Sequence, residues 1–290
     1  MFSTCRTTAS GKPGYESIIE VVHKVTGQKD PVIELLRELT SEDGRRRTGR
    51  FFAEGEEMVR RAFDYGARIE SVILADRFAS TPEARGLIER SASADAQVHT
   101  ATGGLLAKIL QAKPTPECLA VVERKVASLA DVFASKRPLI QMVENCENAD
   151  NLGMLLRSTD AAGVDGVILA GDTTDPFARR VVRGSRGAVL TVPICIQPKS
   201  AKAIEEAKKS DLQVVATSAN SDIPYTDIDY TGPTMIVVGS EHTGISDVVR
   251  EMSGAVVGIP MLGKINSLNV AVAASVMLYE AVRQRIRRER

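Results

Sequence analysis

Two hydrophobic rhythms alternate along the chain. Apolar residues three and four apart predict helices in "DPVIELLREL", "TPEARGLIERSAS" and "GGLLAKILQA". "FFAEGEEMVRRAFDYG" reads as a strand end running into a helix that Gly66 closes. Short runs rich in β-branched residues, "IESVILAD", "AQVHTA" and "ECLAVVERK", predict strands between these helices. Thr81 is placed to cap the helix that Pro82 opens. "EDGRRRTGR" breaks the pattern, and the polar lead-in before Pro31 holds one predicted helix, "YESIIEVVHKV". "ASLADVFASKRP" reads as a connector, after which the alternation resumes from "PLIQMVENCENADNLGMLLRSTDAAGV" to the apolar helix after Asn269. Runs such as "TMIVVG", apolar on both faces, suit a buried parallel sheet. The pattern predicts two α/β domains: an extension over residues 1–30, a small domain over 31–125 and a larger one over 126–290.

Composition narrows what such a chain binds. Lys and Arg together number 37, as do Asp and Glu, so a nucleic-acid partner would have to be met by local patches. The four cysteines are far apart and form no C-x-x-C pair; with three scattered histidines, neither a metal site nor a disulfide framework is expected. No apolar run has the length of a membrane span, and Met1–Glu20 lacks a hydrophobic signal core, so a cytoplasmic protein is expected.

Three polar stretches fall at the ends of predicted strands, where open α/β sheets bind ligands. The first holds Asn151 and, six residues on, Arg157. Spacing reads them as sharing one side of the first helical turns, or more simply as a cap and a surface arginine. The second, "IVVGSEHTGIS", places Gly239 at a strand end and Glu241 and His242 in a loop without the G-K-[ST] of a phosphate cradle. Glu241 there is either a helix-start carboxylate or an orienter of polar ligand groups. The third, "IPMLGKINSLNVAVAASVMLYE", offers Ser267 as a helix cap and leaves Asn269 unexplained, because asparagine inside the first turn of an apolar helix is a poor choice without a partner. No G-x-G occurs, so the dinucleotide fingerprint is absent. Two arginine clusters, Arg45, Arg46, Arg47 and Arg50, then Arg179, Arg180, Arg183 and Arg186, read either as solvated faces or as phosphate tracks.

"NLGMLLRSTDAAG", "VVGSEHTGIS" and "IPMLGKINSLNVAVAASVMLYE", in that order over about half of the chain, resemble the SpoU (TrmH) family of RNA ribose 2′-O-methyltransferases of the SPOUT superfamily. "RGSRGAV" is similar to a helix between the family's first two motifs. "RRRTGRFFAEGEEMVRRAFDYGARIESVIL" resembles, more loosely, the ribosomal-protein-like substrate-binding domain fused to some members. The resemblance implies a small α/β RNA-binding domain followed by a trefoil-knotted α/β domain with a mainly parallel sheet, S-adenosylmethionine bent into the knot loops, and a homodimer. It assigns catalysis to Asn151, Arg157, Glu241, Ser267 and Asn269, and cofactor contacts to Gly239, Ile259 and Leu268. Arg45, Arg46, Arg47 and Arg50 become the favoured RNA contacts, ribosomal RNA the expected substrate, and no metal is called for. Transfer RNA, or a non-catalytic role in ribosome assembly, is the alternative.

Overall fold

The computed structural model describes residues 22–288. The chain divides after Arg124 into two compact units.

In the first unit, strands β1 (Val22–Lys24), β2 (Arg50–Glu54), β3 (Ile69–Ala75), β4 (Gln97–Ala101) and β5 (Cys118–Glu123) form one sheet in the order β1-β4-β3-β5-β2. The first three in that order are mutually parallel; β5 runs antiparallel to β3 and β2. Helices α1 (Pro31–Leu39), α2 (Glu42–Thr48), α3 (Glu56–Asp64), α4 (Pro82–Ser93) and α5 (Gly103–Leu110) connect the strands. Thr81 caps α4 as expected, its hydroxyl accepting from the Ala84 amide at 3.2 Å.

Two expectations fail in this unit. "YESIIEVVHKV" reads as a helix, yet Val22–Lys24 pairs in parallel with Val98–Thr100 as an edge strand; the rest of that segment lies outside the described residues. "EDGRRRTGR" reads as a break, yet most of it is α2. Its termini explain this better than its hydrophobicity does. Ser41 accepts from the Gly44 amide at 3.1 Å, Glu42 and Asp43 occupy the first turn, and Gly49 ends the helix at φ 67°.

The second unit contains one six-stranded, wholly parallel sheet: β6 (Leu139–Glu144), β7 (Gly166–Ala170), β8 (Ile194–Ile196), β9 (Gln213–Thr217), β10 (Thr234–Val238) and β11 (Ala255–Val257), in the order β11-β9-β10-β6-β7-β8. Its helices are α6 (Leu129–Val132), α7 (Ala149–Ala161), α8 (Arg179–Gly184), α9 (Ala188–Thr191), α10 (Ser200–Lys209), α11 (Asp247–Met252) and α12 (Val270–Arg288). The predicted connector therefore holds a helix of its own, α6, closed by a Ser128–Asp131 capping box, and its Val132 is fully buried against Gly166.

Both faces of this sheet are buried, as the uninterrupted apolar runs require. Ile140, Met142, Met235 and Val237 pack with Ile204 and Ala207 on one side; Leu139, Ile236 and Val215 pack with Met277, Leu278 and Tyr230 on the other. Each fully buried large side chain contributes roughly 1.5–3 kcal/mol. From β6 the chain builds outward through β7 and β8. It then crosses back to lay β9, β10 and β11 on the opposite side, so β6 and β10 adjoin where the strand order reverses. Ligands of open α/β sheets bind outside strand ends at such a reversal. Arg285 near the end of α12 is structural. It donates to the carbonyl oxygens of Tyr230 (3.0 Å), Arg137 (3.0 Å), Pro138 (3.1 Å) and Gly232 (2.7 Å).

Candidate active site

The loops after β6, β10 and β11 carry the three polar stretches. In the first, the cap of α7 is Asn148, whose Oδ1 accepts from the amides of Asp150 (2.9 Å) and Asn151 (3.3 Å). Asn151 is therefore not the cap, and its own side chain is left for other work. Gly153 lets α7 approach α8, since a Cβ there would stand 3.0 Å from the Gly184 Cα.

The second loop, 239–246, closes on itself. The Ser240 amide donates to the Gly244 carbonyl at 3.1 Å and the Gly244 amide to the Ser240 carbonyl at 2.9 Å. A Cβ on Gly239 would lie 2.2 Å from the Gly244 carbonyl carbon, and Gly244 takes φ +69°, so both positions call for glycine. Glu144, 3% exposed at the end of β6, anchors the loop's far end. Its carboxylate accepts from the Ser246 amide (2.8 Å), the Ser246 hydroxyl (2.9 Å) and the Ser200 hydroxyl (2.6 Å). These donors satisfy the buried charge without a cation. Ser246 in turn caps α11 through the Val249 amide at 3.2 Å. Glu241 thus sits within a held loop, well before the helix start.

In the third loop the cap is Asn269, not Ser267. Its Oδ1 accepts from the amides of Ala271 (2.9 Å) and Val272 (3.4 Å), and its carbonyl accepts the first helical bond, from Ala273, at 2.9 Å. Capping with Oδ1 fixes which way the amide faces, and Nδ2 then donates to Asn151 Oδ1 at 2.9 Å. Asn151 is oriented by the same logic: with its oxygen taken, its Nδ2 donates to Glu241 Oε1. A one-way chain runs from the start of α12 through two amides to a carboxylate oxygen that can only accept. Asparagine beside the apolar helix has the partner the sequence could not show.

Glu241 borders a cavity of about 330 Å³, within the size range of small-ligand sites. Gly239, Ile259 and Leu268, expected as cofactor contacts, all line it, and so does Ser267. Ser267 is exposed and, no longer needed as a cap, is available to a ligand. Asn151 is 8% exposed and reaches the cavity through Glu241. Arg157 stands apart from this group. It is exposed, and six residues at about 100° each place it roughly 120° around α7 from Asn151, so the expected shared side is not realised. No hydrogen bond or ion pair holds Arg157 among the described residues. Cys146, behind the first loop, has its thiol pushed up to about 11 by burial and then by the charge of Glu241, and is inert as a nucleophile at neutral pH.

The arginine cluster of the first unit is corrected at one position. Arg45 is 6% exposed, donating to the Leu39 carbonyl at 2.9 Å, and is part of the packing between α1 and α2. Arg46, Arg47 and Arg50 keep exposed surface and pair with Asp43 (2.7 Å), Glu38 (3.0 Å) and Glu70. Sequence reasoning missed Asn148, Glu144 and Arg250, the last a cavity-lining residue on α11. Asn148 is legible as a capping residue three positions before Asn151-Leu152-Gly153; Glu144 and Arg250 carry no local signal. Among the described residues, no group of three or more His, Cys, Asp or Glu side chains could hold a metal ion.

Residues 138–279 match the SpoU rRNA Methylase family, and residues 30–120 match the MRM3-like substrate binding domain. The 23S rRNA (uridine(2479)-2'-O)-methyltransferase of Streptomyces viridochromogenes is 30% identical over 253 residues, covering 86% of this chain and 88% of the relative. An S-adenosylmethionine-bound rRNA methyltransferase from Sinorhizobium meliloti superposes with a TM-score of 0.78 at 28% identity, over 90% of this chain and 98% of that one. The SpoU methyltransferase AviRb from S. viridochromogenes, in complex with the same cofactor, gives 0.78 at 28% identity, over 89% and 99%.

Proposed function

The chain belongs to the SpoU rRNA methylase family, and we propose that it methylates a ribose 2′-hydroxyl of ribosomal RNA. It is an S-adenosylmethionine-dependent RNA ribose 2′-O-methyltransferase with the knotted α/β fold of that family. One observation carries the site assignment: the directed chain Asn269–Asn151–Glu241 ends at the rim of the cavity that Gly239, Ile259, Leu268 and Ser267 line. The ribosomal substrate is supported by the relative's activity and by the match of residues 30–120 to a substrate-binding domain.

The lining suits the cofactor in kind. Ile259, Met261 and Leu268 offer apolar surface for an adenosine, while Gly239, with no side chain, lets a ligand come close to the backbone. Bound there, S-adenosylmethionine supplies a methyl group already activated by its sulfonium. The chain's task is then to align a weakly nucleophilic hydroxyl and to stabilise the negative charge that grows on its oxygen. Arg157, although outside the cavity lining, is assigned to that charge by the family resemblance. Its guanidinium is exposed, has no hydrogen bond or ion pair among the described residues, and is permanently protonated, so it acts as an electrostatic clamp on oxyanion and phosphate and not as a general base. Ser267, exposed in the cavity lining, is assigned to the ribose, and Glu241, pinned by Asn151, holds its loop beside the same cavity.

RNA contact falls to Arg46, Arg47 and Arg50. Their partners are exposed carboxylates, and surface pairs of this kind are worth roughly 0–1 kcal/mol, so a phosphate can displace them. A homodimer is supported by Val272, Tyr279 and Ile286 on α12, each about half exposed and seven residues apart, which aligns them in one apolar stripe. Gel-filtration mass at twice that of the chain is the expected result. We read the protein as cytoplasmic from its proposed RNA substrate; separately, among the described residues no helix is long and apolar enough to cross a membrane.

The test is transfer of labelled methyl to unmodified ribosomal RNA, followed by alkaline hydrolysis. Ribose methylation blocks cleavage at its own linkage, so label in alkali-resistant dinucleotides is the expected result. Label in mononucleotides means base methylation and overturns the mechanism. Label on transfer RNA alone replaces the substrate, and no label on either favours a non-catalytic role in ribosome assembly.

A further inference from the structure

We propose that Arg250 receives the carboxylate of the methionine arm of S-adenosylmethionine and so selects ligands that carry an amino-acid end. The inference rests on reading the cavity as the methyl-donor site. Arg250 lies on α11 and lines the cavity. Its only hydrogen bond among the described residues is a long one, Nη2 to Ser218 Oγ at 3.4 Å, and no carboxylate pairs with it there. The fork of donors is thus left open toward a planar anion, the shape that guanidinium binds in bidentate fashion.

The surrounding charges fix which anion. Among the described lining residues Arg250 is the one permanently cationic side chain and Glu241 the one carboxylate. A ligand bearing a carboxylate together with ammonium and sulfonium charges is therefore attracted with its carboxylate toward Arg250 and repelled in the opposite sense, where it would face Glu241. Arg250 is also well supported for a binding role. Its helix is capped by Ser246, which Glu144 ties to the end of β6, so the guanidinium is carried on a fixed element rather than on the exposed part of the loop. An RNA phosphate is the competing anion, and the position of Arg250 in the lining of the cavity favours the ligand inside it.

Calorimetric titration of the full-length protein with two ligands separates these cases. S-adenosylhomocysteine has the amino-acid arm; 5′-methylthioadenosine keeps adenosine and sulfur and lacks it. The wild-type protein is expected to prefer the first. Arg250→Ala should weaken S-adenosylhomocysteine by about tenfold, the scale of one partly exposed charge-assisted pair, with 5′-methylthioadenosine changed by less than about twofold. Arg250→Lys should recover part of the loss, and an unchanged thermal melt shows that the variants fold. Equal weakening of both ligands, or of neither, overturns the inference. So does a raised KM for RNA with unchanged S-adenosylhomocysteine affinity, which assigns the guanidinium to phosphate. Failure of the wild-type protein to bind either ligand refutes the cavity assignment itself.

Discussion

Arg45, Arg46, Arg47 and Arg50 crowd into six positions of the first unit, and each is engaged: one buried on a backbone carbonyl, three on carboxylates. Arg157 and Arg250 lie far apart in the sequence of the second unit, and neither has a carboxylate partner among the described residues. The difference teaches that density of charge in a sequence is a poor guide to where charge is available. A run of arginines next to acids can neutralise itself locally, whereas an isolated arginine without a carboxylate partner, such as Arg250 in the cavity lining, keeps its capacity for a ligand.

That contrast can be broken at several points. The largest effect is expected for Arg157→Ala, which should lower methyl transfer by about 10²–10³-fold while S-adenosylhomocysteine binding stays intact by calorimetry. Lost ligand binding would move Arg157 out of the chemical step. Next comes Gly239→Ala. The added Cβ meets backbone 2.2 Å away, so the loop must shift, and the titration should show ligand affinity reduced by at least about tenfold in a folded protein. Wild-type affinity would show that the loop is not rigid. Within the arginine run, Arg45→Ala should cost about 2 kcal/mol in denaturant unfolding because it deletes a buried charged donor. Arg46→Ala should leave stability within about 0.5 kcal/mol and instead flatten the salt dependence of RNA binding by roughly one ion. Reversed outcomes would restore Arg45 as the RNA contact.

The smallest effect concerns pH. Burial, and then the neighbouring His23, hold the His99 imidazole below its ordinary value of 6.5. The unfolded chain therefore binds the proton more readily, and the contribution of His99 to stability is present above pH 6.5 and lost as pH falls through its lowered value. His99→Gln should remove this component of acid destabilisation in melts between neutral and mildly acidic pH; an unchanged profile would show that His99 does not titrate on unfolding.

How much of this was legible follows the range of the interactions. Helix and strand placement came from local periodicity, and Thr81 and Gly66 from local capping chemistry. α2 escaped because its helix signal lies in its ends, Ser41 and Gly49, and not in an apolar stripe. The three loops could be singled out, but spacing could not show that Asn151 and Asn269 meet across 118 positions. Ser267 was misread as the cap because both it and Asn269 are good capping residues, and only the actual first turn decides between them. Glu144 and Arg250 stayed invisible for the same reason: each derives its meaning from neighbours brought by other strands.

The double engagement of Asn269 has a consequence for how the protein comes into being. The residue that starts the last helix also orders the carboxylate of the second loop through an asparagine of the first. During synthesis, a nascent chain can complete the first unit and most of the parallel sheet while the polar constellation is still unassembled. Competence arrives only when α12 nucleates, so the same few hydrogen bonds that begin this helix also assemble the constellation.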